Sequence, residues 1–143
     1  MKTDRPFVYV AGPYSDPSPE IRERRFARHA LAAAWLVNHG HIVYAPIVHC
    51  HTIAVAGGIK GGWSFWEHMD MPFLALSRLM VVLPLDGWLE SEGLWHESQY
   101  AFQNEIPVAF MVGDDESAQY QRITWSTHLL TQLHTMLNPE SKK

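Results

Sequence analysis

The chain has 143 residues, 47% of them hydrophobic and 18% charged, a composition that fits one folded domain with a single core and excludes a disordered one. A formal net charge of -4 with 11 Lys plus Arg argues against polymeric nucleic acid as a partner, since phosphates need a basic surface to neutralise them. The lone Cys50 excludes an internal disulfide framework and a thiolate zinc site; with no signal-like N-terminus and no apolar run near the ~18 residues of a membrane span, a cytoplasmic protein without a membrane partner is expected.

Phe7-Val8-Tyr9-Val10-Ala11 is β-branched and aromatic and runs into Gly12-Pro13, which predicts a first strand ending in a loop. The loop carries three prolines up to Pro19, and Ser18 with Pro19 predicts a capped helix start. Along that helix Arg22, Phe26, Ala30, Ala33 and Val37 recur every three or four residues, so the spacing places Arg22 at the N-terminal end of the core stripe and Arg25 on an adjacent face. Gly12, Ser15 and one of these arginines can gather an anion at the helix N-terminus. The competing reading is a solvated basic face of Arg22, Arg24, Arg25 and Arg28 paired with Glu20 and Glu23.

Gly40 closes the helix and Ile42-Val43-Tyr44-Ala45 before Pro46 predicts a second strand, completing a right-handed βαβ unit. Ile47 to Gly62, with four glycines, predicts a functional loop or a short irregular helix. His49 and His51, with His68 and Asp70, invite a metal, but the spacing matches no known ligand set, and no metal is expected.

Trp63 to Arg78 reads as largely helical, with Pro72 beginning or kinking a helix. Trp63, Trp66, Asp70 and Leu74 share a face, which predicts either a flat slot for a nucleobase with a carboxylate at its edge or an aromatic core stripe with Asp70 capping the segment that Pro72 opens.

Leu79-Met80-Val81-Val82-Leu83 predicts a strand buried on both faces. After the Asp86-Gly87 turn, Ser91 can cap a helix on which Gly93 lets a ligand approach the backbone, while Leu94, Glu97 and Ala101 share the inward face. An acid on that face, just past the end of a parallel strand, stands where open α/β sheets bind ligands; the alternatives are a Glu paired with an Arg or a solvated Glu. Ile106 to Val112 predicts a further strand stopped by Gly113-Asp114-Asp115. From about Ser117 to Leu137, residues Ile123, Leu130, Leu133 and Leu137 predict a helix over the sheet, followed by a frayed tail from Asn138.

Taken together, Tyr9-Val10-Ala11-Gly12-Pro13, Asp70 ahead of Leu79-Met80-Val81-Val82, and Ser91-x-Gly93-x-x-x-Glu97-x-x-x-Ala101 resemble the nucleoside 2-deoxyribosyltransferase superfamily over most of residues 7 to 112. A small bacterial branch, DUF1937-like, looks similar in its Ala11-Gly12-Pro13-Tyr14-Ser15 loop and in Pro46-Ile47-Val48-His49. The resemblance implies a single domain over 1–143 with a flavodoxin-like, doubly wound parallel sheet of four or five strands in three α/β/α layers, assembled as a homodimer or homotetramer.

It also implies N-glycosidic bond cleavage, by hydrolysis or base transfer, in a nucleoside or nucleoside 5'-monophosphate, with no cofactor. Glu97 would be the nucleophile of a covalent glycosyl-enzyme intermediate and Asp70 the acid partner at the leaving base, so Glu97 must be ionised while Asp70 keeps part of its proton. Trp63 or Trp66 would hold the base, and Ser15, Arg22, Ser91 and Gly93 the 5' end, with Tyr9, Gly12 and Arg25 completing the substrate-binding candidates. Ser91 and Gly93 stand where the related 2'-deoxynucleoside 5'-phosphate N-hydrolases hold phosphate, and the transferases usually have Asp in place of that Ser, which favours a hydrolase. Two departures are Gln99 in place of the family's glycine and a first loop without Gly-Gly. The rival readings are a non-catalytic nucleotide sensor with Glu97 paired to an Arg, and a metal-dependent hydrolase using His49, His51 and Asp70.

Overall fold

A computed structural model describes residues 4–113, 120 and 122–138. Its elements alternate as the sequence pattern requires: β1 (Phe7–Ala11), α1 (Pro19–Asn38), β2 (Val43–Tyr44), α2 (Pro46–Gly57), α3 (Trp63–Ala75), β3 (Ser77–Val82), a 3-10 turn (Trp88–Glu90), α4 (Glu92–Gln103), β4 (Val108–Phe110) and α5 (Thr127–Leu137). The four strands are all parallel in the order β2-β1-β3-β4, flanked by five helices among the described residues, which is the three-layer, flavodoxin-like α/β/α arrangement.

Alternation along β1 sorts the core into two layers. Val8 and Val10 face Ala32 and Leu36 of α1, while Tyr9 and Ala11 face Leu74 of α3, Leu94 and Ala101 of α4, and Leu133 and Met136 of α5. The chain leaves β1 toward β2 and leaves β3 toward β4, so the connections diverge between β1 and β3. That divergence opens a crevice at the C-terminal ends of the two central strands.

Several elements differ from the sequence expectation. The buried stripe of α1 is His29, Ala32 and Leu36, one residue out of phase with Ala30, Ala33 and Val37, and Val37 is 59% exposed. Ala-rich helices carry little contrast between faces, so a one-residue displacement is nearly invisible in the pattern. Of the two readings for Ile47 to Gly62, loop or short irregular helix, residues 47–57 take the second in a regular form, as a helix whose first residue is Pro46. The glycines mark its end: Gly58 caps it in the left-handed region at φ 60, and the Ile59 amide returns to the Ala54 carbonyl at 2.9 Å.

Pro72 lies inside α3 without opening a new helix, so Asp70 is a mid-helix residue and not a cap. β2 shrinks to two residues and β4 to three; β3 begins at Ser77, two residues earlier than read. Pro107 precedes β4, and its carbonyl accepts from the Met80 amide at 2.9 Å. Ile123 precedes α5, in a segment where Thr124 bridges Phe110 antiparallel. The expected stop at Asp114 and Asp115, the helix start near Ser117 and the tail beyond Asn138 lie outside the described residues. Among the described residues no helix is long and apolar enough to cross a membrane.

Candidate active site

A cavity of about 960 Å³ fills the crevice, walled by the loop after β1, the facing sides of α2 and α3, and the N-terminal turn of α4. Ser91 shapes that turn, its hydroxyl accepting from the Leu94 amide at 3.2 Å. The helical spacing from this cap turns Leu94, Glu97, Ser98 and Ala101 inward, and Glu97 ends 5% exposed at the cavity wall. Strand alternation aims Tyr9 toward the same helix, and its hydroxyl donates to Glu97 Oε2. The partner of Glu97 is thus a phenol and not an arginine.

Asp70, one turn above Leu74 on α3, is 6% exposed and lines the same cavity. Its Oδ1 accepts from the Tyr44 hydroxyl at 3.3 Å and from Cys50 Sγ at 3.5 Å. Neither donor is in the pattern of the sequence motifs. The signal was the pairing of Tyr9 with Tyr44 on adjacent strands, which brings two phenols to one height of the sheet.

Burial governs the protonation of this group. Glu97 is pushed up to about 8 by loss of water, with the Tyr9 hydrogen bond pulling it down and the Asp70 charge pushing it further up. Asp70 is also raised by burial, against the hydrogen bonds from Cys50 and Tyr44 and the nearby His49 and His68. Burial lifts the Cys50 thiol to about 12 and both phenols above their usual range, so all three remain proton donors. Loss of water thus raises both acids, and each is held by donors that favour its charged form: Tyr9 on Glu97, Tyr44 and Cys50 on Asp70.

The two arginines act largely on the backbone. Arg25 donates from Nη1 to the carbonyls of Tyr14 (3.3 Å) and Ser15 (2.9 Å) and from Nη2 to that of Asp86 (2.8 Å), tying the loops after β1 and β3 together. Gly87 is required there, with φ +82 and space for a Cβ only 2.8 Å from Arg25 Nη2. Arg22 donates to the Asp16 carbonyl. Both still line the cavity, as do Gly12, Ser15, Ser91 and Gly93.

Trp63 and Trp66 line it as well, and Trp63 lies over Gly93, where a Cβ would stand 3.2 Å from its ring. Its other neighbour is His96, stacked at 5.3 Å. Tyr9 is the one substrate-binding candidate that does not line the cavity; it is fully buried and reaches the site through Glu97. Beneath Gly12, His29 is buried with no hydrogen bond of ordinary geometry to either ring nitrogen among the described residues. Burial lowers it to about 4 against the pull of the Pro13 carbonyl.

The histidines singled out as metal candidates do not converge. His49 packs against Tyr44, His68 against Phe65, and His51 against Phe26 and Tyr14. Among the described residues no three His, Cys, Asp or Glu side chains form a metal-ligand group.

The fold and site define an open α/β domain with two sheltered acids at the point where its sheet reverses order. By sequence the chain belongs to the DUF1937 family, a domain of unknown function, whose model matches residues 6–113. The match spans β1 to β4 and every residue lining the cavity, leaving α5 outside. The chain matches none of the curated proteins.

Proposed function

We propose that the protein cleaves the N-glycosidic bond of a nucleoside or nucleoside 5'-monophosphate, as the resemblance to the nucleoside 2-deoxyribosyltransferase superfamily implies. The observation that carries this reading is that Glu97, held by the Tyr9 hydroxyl, and Asp70 are both buried and line one cavity. Glu97 attacks C1' as the bond to the base lengthens, and Asp70 gives the departing base its proton. Water, or a second base, then releases the sugar from Glu97.

Attack requires the carboxylate, and a Glu97 raised to about 8 is only about one-tenth ionised at pH 7. Cationic charge developing on the sugar stabilises that carboxylate where little water competes. The Tyr9 hydrogen bond favours the same charged form. Trp63 and Trp66 offer flat faces to a base, and Ser15, Arg22, Ser91 and Gly93 a polar rim to the 5' end.

Hydrolysis is favoured over transfer by Ser91. The proposed partners are the small-molecule substrate and further copies of this chain, as a homodimer or homotetramer in the cytoplasm. The test is incubation with ribo- and deoxyribonucleosides and their 5'-monophosphates, with chromatography for free base. Release by the native protein and none by Glu97→Ala supports the mechanism; an active Ala variant, or no base from any substrate, refutes it.

A further inference from the structure

A second chain of titratable groups lies on the cavity wall, apart from the two acids. The Tyr14 hydroxyl is 2.5 Å from His51 Nδ1, and His51 Nε2 is 3.1 Å from Glu23 Oε1. The three come from different elements: the loop after β1, α2 and α1. His51 is stacked on Phe26 with ring centroids 4.1 Å apart, and the Tyr14 ring stands nearly perpendicular to it at 5.6 Å. Its side chain is 9% exposed while that of Glu23 is 62% exposed, so the chain runs from bulk water to the wall that Tyr14 and His51 share.

Proton accounting gives this chain a direction. A carboxylate oxygen accepts, so with Glu23 facing Nε2 the neutral form of the His51 imidazole places its hydrogen there, and this is the form the proposal below assigns. Nδ1 is then an acceptor, and the Tyr14 hydroxyl spends its only hydrogen on it. What remains on the Tyr14 oxygen is lone pairs. Burial keeps this phenol protonated above its ordinary range, against the pull of Arg22 and with Glu23 adding to the rise. A phenol whose hydrogen is committed elsewhere differs from a free one, which donates or accepts as the ligand demands.

We propose that Tyr14 is a specificity-determining residue of this cavity: its oxygen accepts a hydrogen bond from an O–H or N–H group of the ligand, while His51 and Glu23 are positioning residues that hold it in that role. The assignment deepens the glycosidic reading above and rests on it for the identity of the ligand. The cavity therefore selects a ligand that brings a donor to this point over one whose donor is removed or methylated.

Two measurements decide it. In a 15N-resolved spectrum of the intact protein, His51 shows the Nε2–H form; an Nδ1–H ring overturns the proposal, whatever the enzyme does. In the base-release assay, matched nucleosides are compared with analogues deoxygenated or O-methylated at one sugar position, or N-methylated on the base. The native protein prefers the donor-bearing partner tenfold or more at one position, and Tyr14→Phe brings that ratio to near one while preferences elsewhere are kept. Glu23→Ala weakens the same ratio in part and Glu23→Gln, which still accepts from Nε2–H, restores it. Equal loss on every analogue in Tyr14→Phe would show a structural residue and overturn the proposal. Should no nucleoside release base, the glycosidic reading fails, and the same panel read as binding by calorimetry still decides the role of Tyr14.

Discussion

Replacing Glu97 with Gln removes one titrating group while keeping its size and an oxygen for the Tyr9 hydroxyl. The native pKa of about 8 lies above the ordinary 4.5, so the folded state holds the proton more tightly than the unfolded chain. Stability from this group is therefore complete below pH 4.5, declines as pH rises, and is fully lost above about 8. At about 1.36 kcal/mol for each pH unit between those two midpoints, the loss amounts to about 3 kcal/mol at pH 7 and nearly 5 kcal/mol by pH 9. The neutral amide has no such dependence. Urea unfolding at pH 5, 7 and 9 checks this: the native protein should weaken relative to Glu97→Gln by about 4 kcal/mol from pH 5 to pH 9. Parallel curves for the two proteins, within about 1 kcal/mol, would refute the claim that Glu97 is an acid deprived of water.

Tyr9→Phe removes the donor that favours the ionised Glu97. A hydrogen bond to a charged group contributes about 1.5–3 kcal/mol, so the Glu97 carboxyl midpoint, followed by 13C NMR, should rise by about one to two pH units. A midpoint that stays or falls contradicts the role given to Tyr9. Gly12→Ala forces a Cβ to within 2.9 Å of the His29 ring and 3.2 Å of the Leu83 carbonyl, and overpacking of this kind should lower stability in urea by about 1–3 kcal/mol. A neutral effect would mean that His29 has room to move. Arg25→Gln leaves the Tyr14, Ser15 and Asp86 carbonyls without their shared donor, so amide exchange should quicken in both loops together. Faster exchange in one loop alone would argue against their coupling.

Where local chemistry and tertiary packing agree, the sequence was legible. Ser18 and Pro19 start α1, and Ser91 starts α4 with Glu97 turned inward, because a cap is read from one or two residues and sets the phase of the helix behind it. β1 and β3 were visible as short apolar blocks because both of their faces are covered. α2 was legible only as one of two alternatives, since the glycines at and beyond its end, two histidines and a cysteine blur a helix whose stability comes from contacts with α1 and β1 rather than from propensity. The surroundings of the acids were hidden for another reason. Nothing local ties Tyr9 to Glu97 or Cys50 to Asp70; strand register and the placement of α2 bring them together, and register is not a local property.

The guanidinium that joins the two rim loops has a consequence for how the cleft responds to its surroundings. Arginine keeps its charge at every pH a protein survives, whereas Glu97 below it, raised to about 8, changes its charge near neutrality. The opening of the vessel is thus fastened by a group blind to acidity while its floor is sensitive to it. Acidification can rewrite the chemistry inside without loosening the walls.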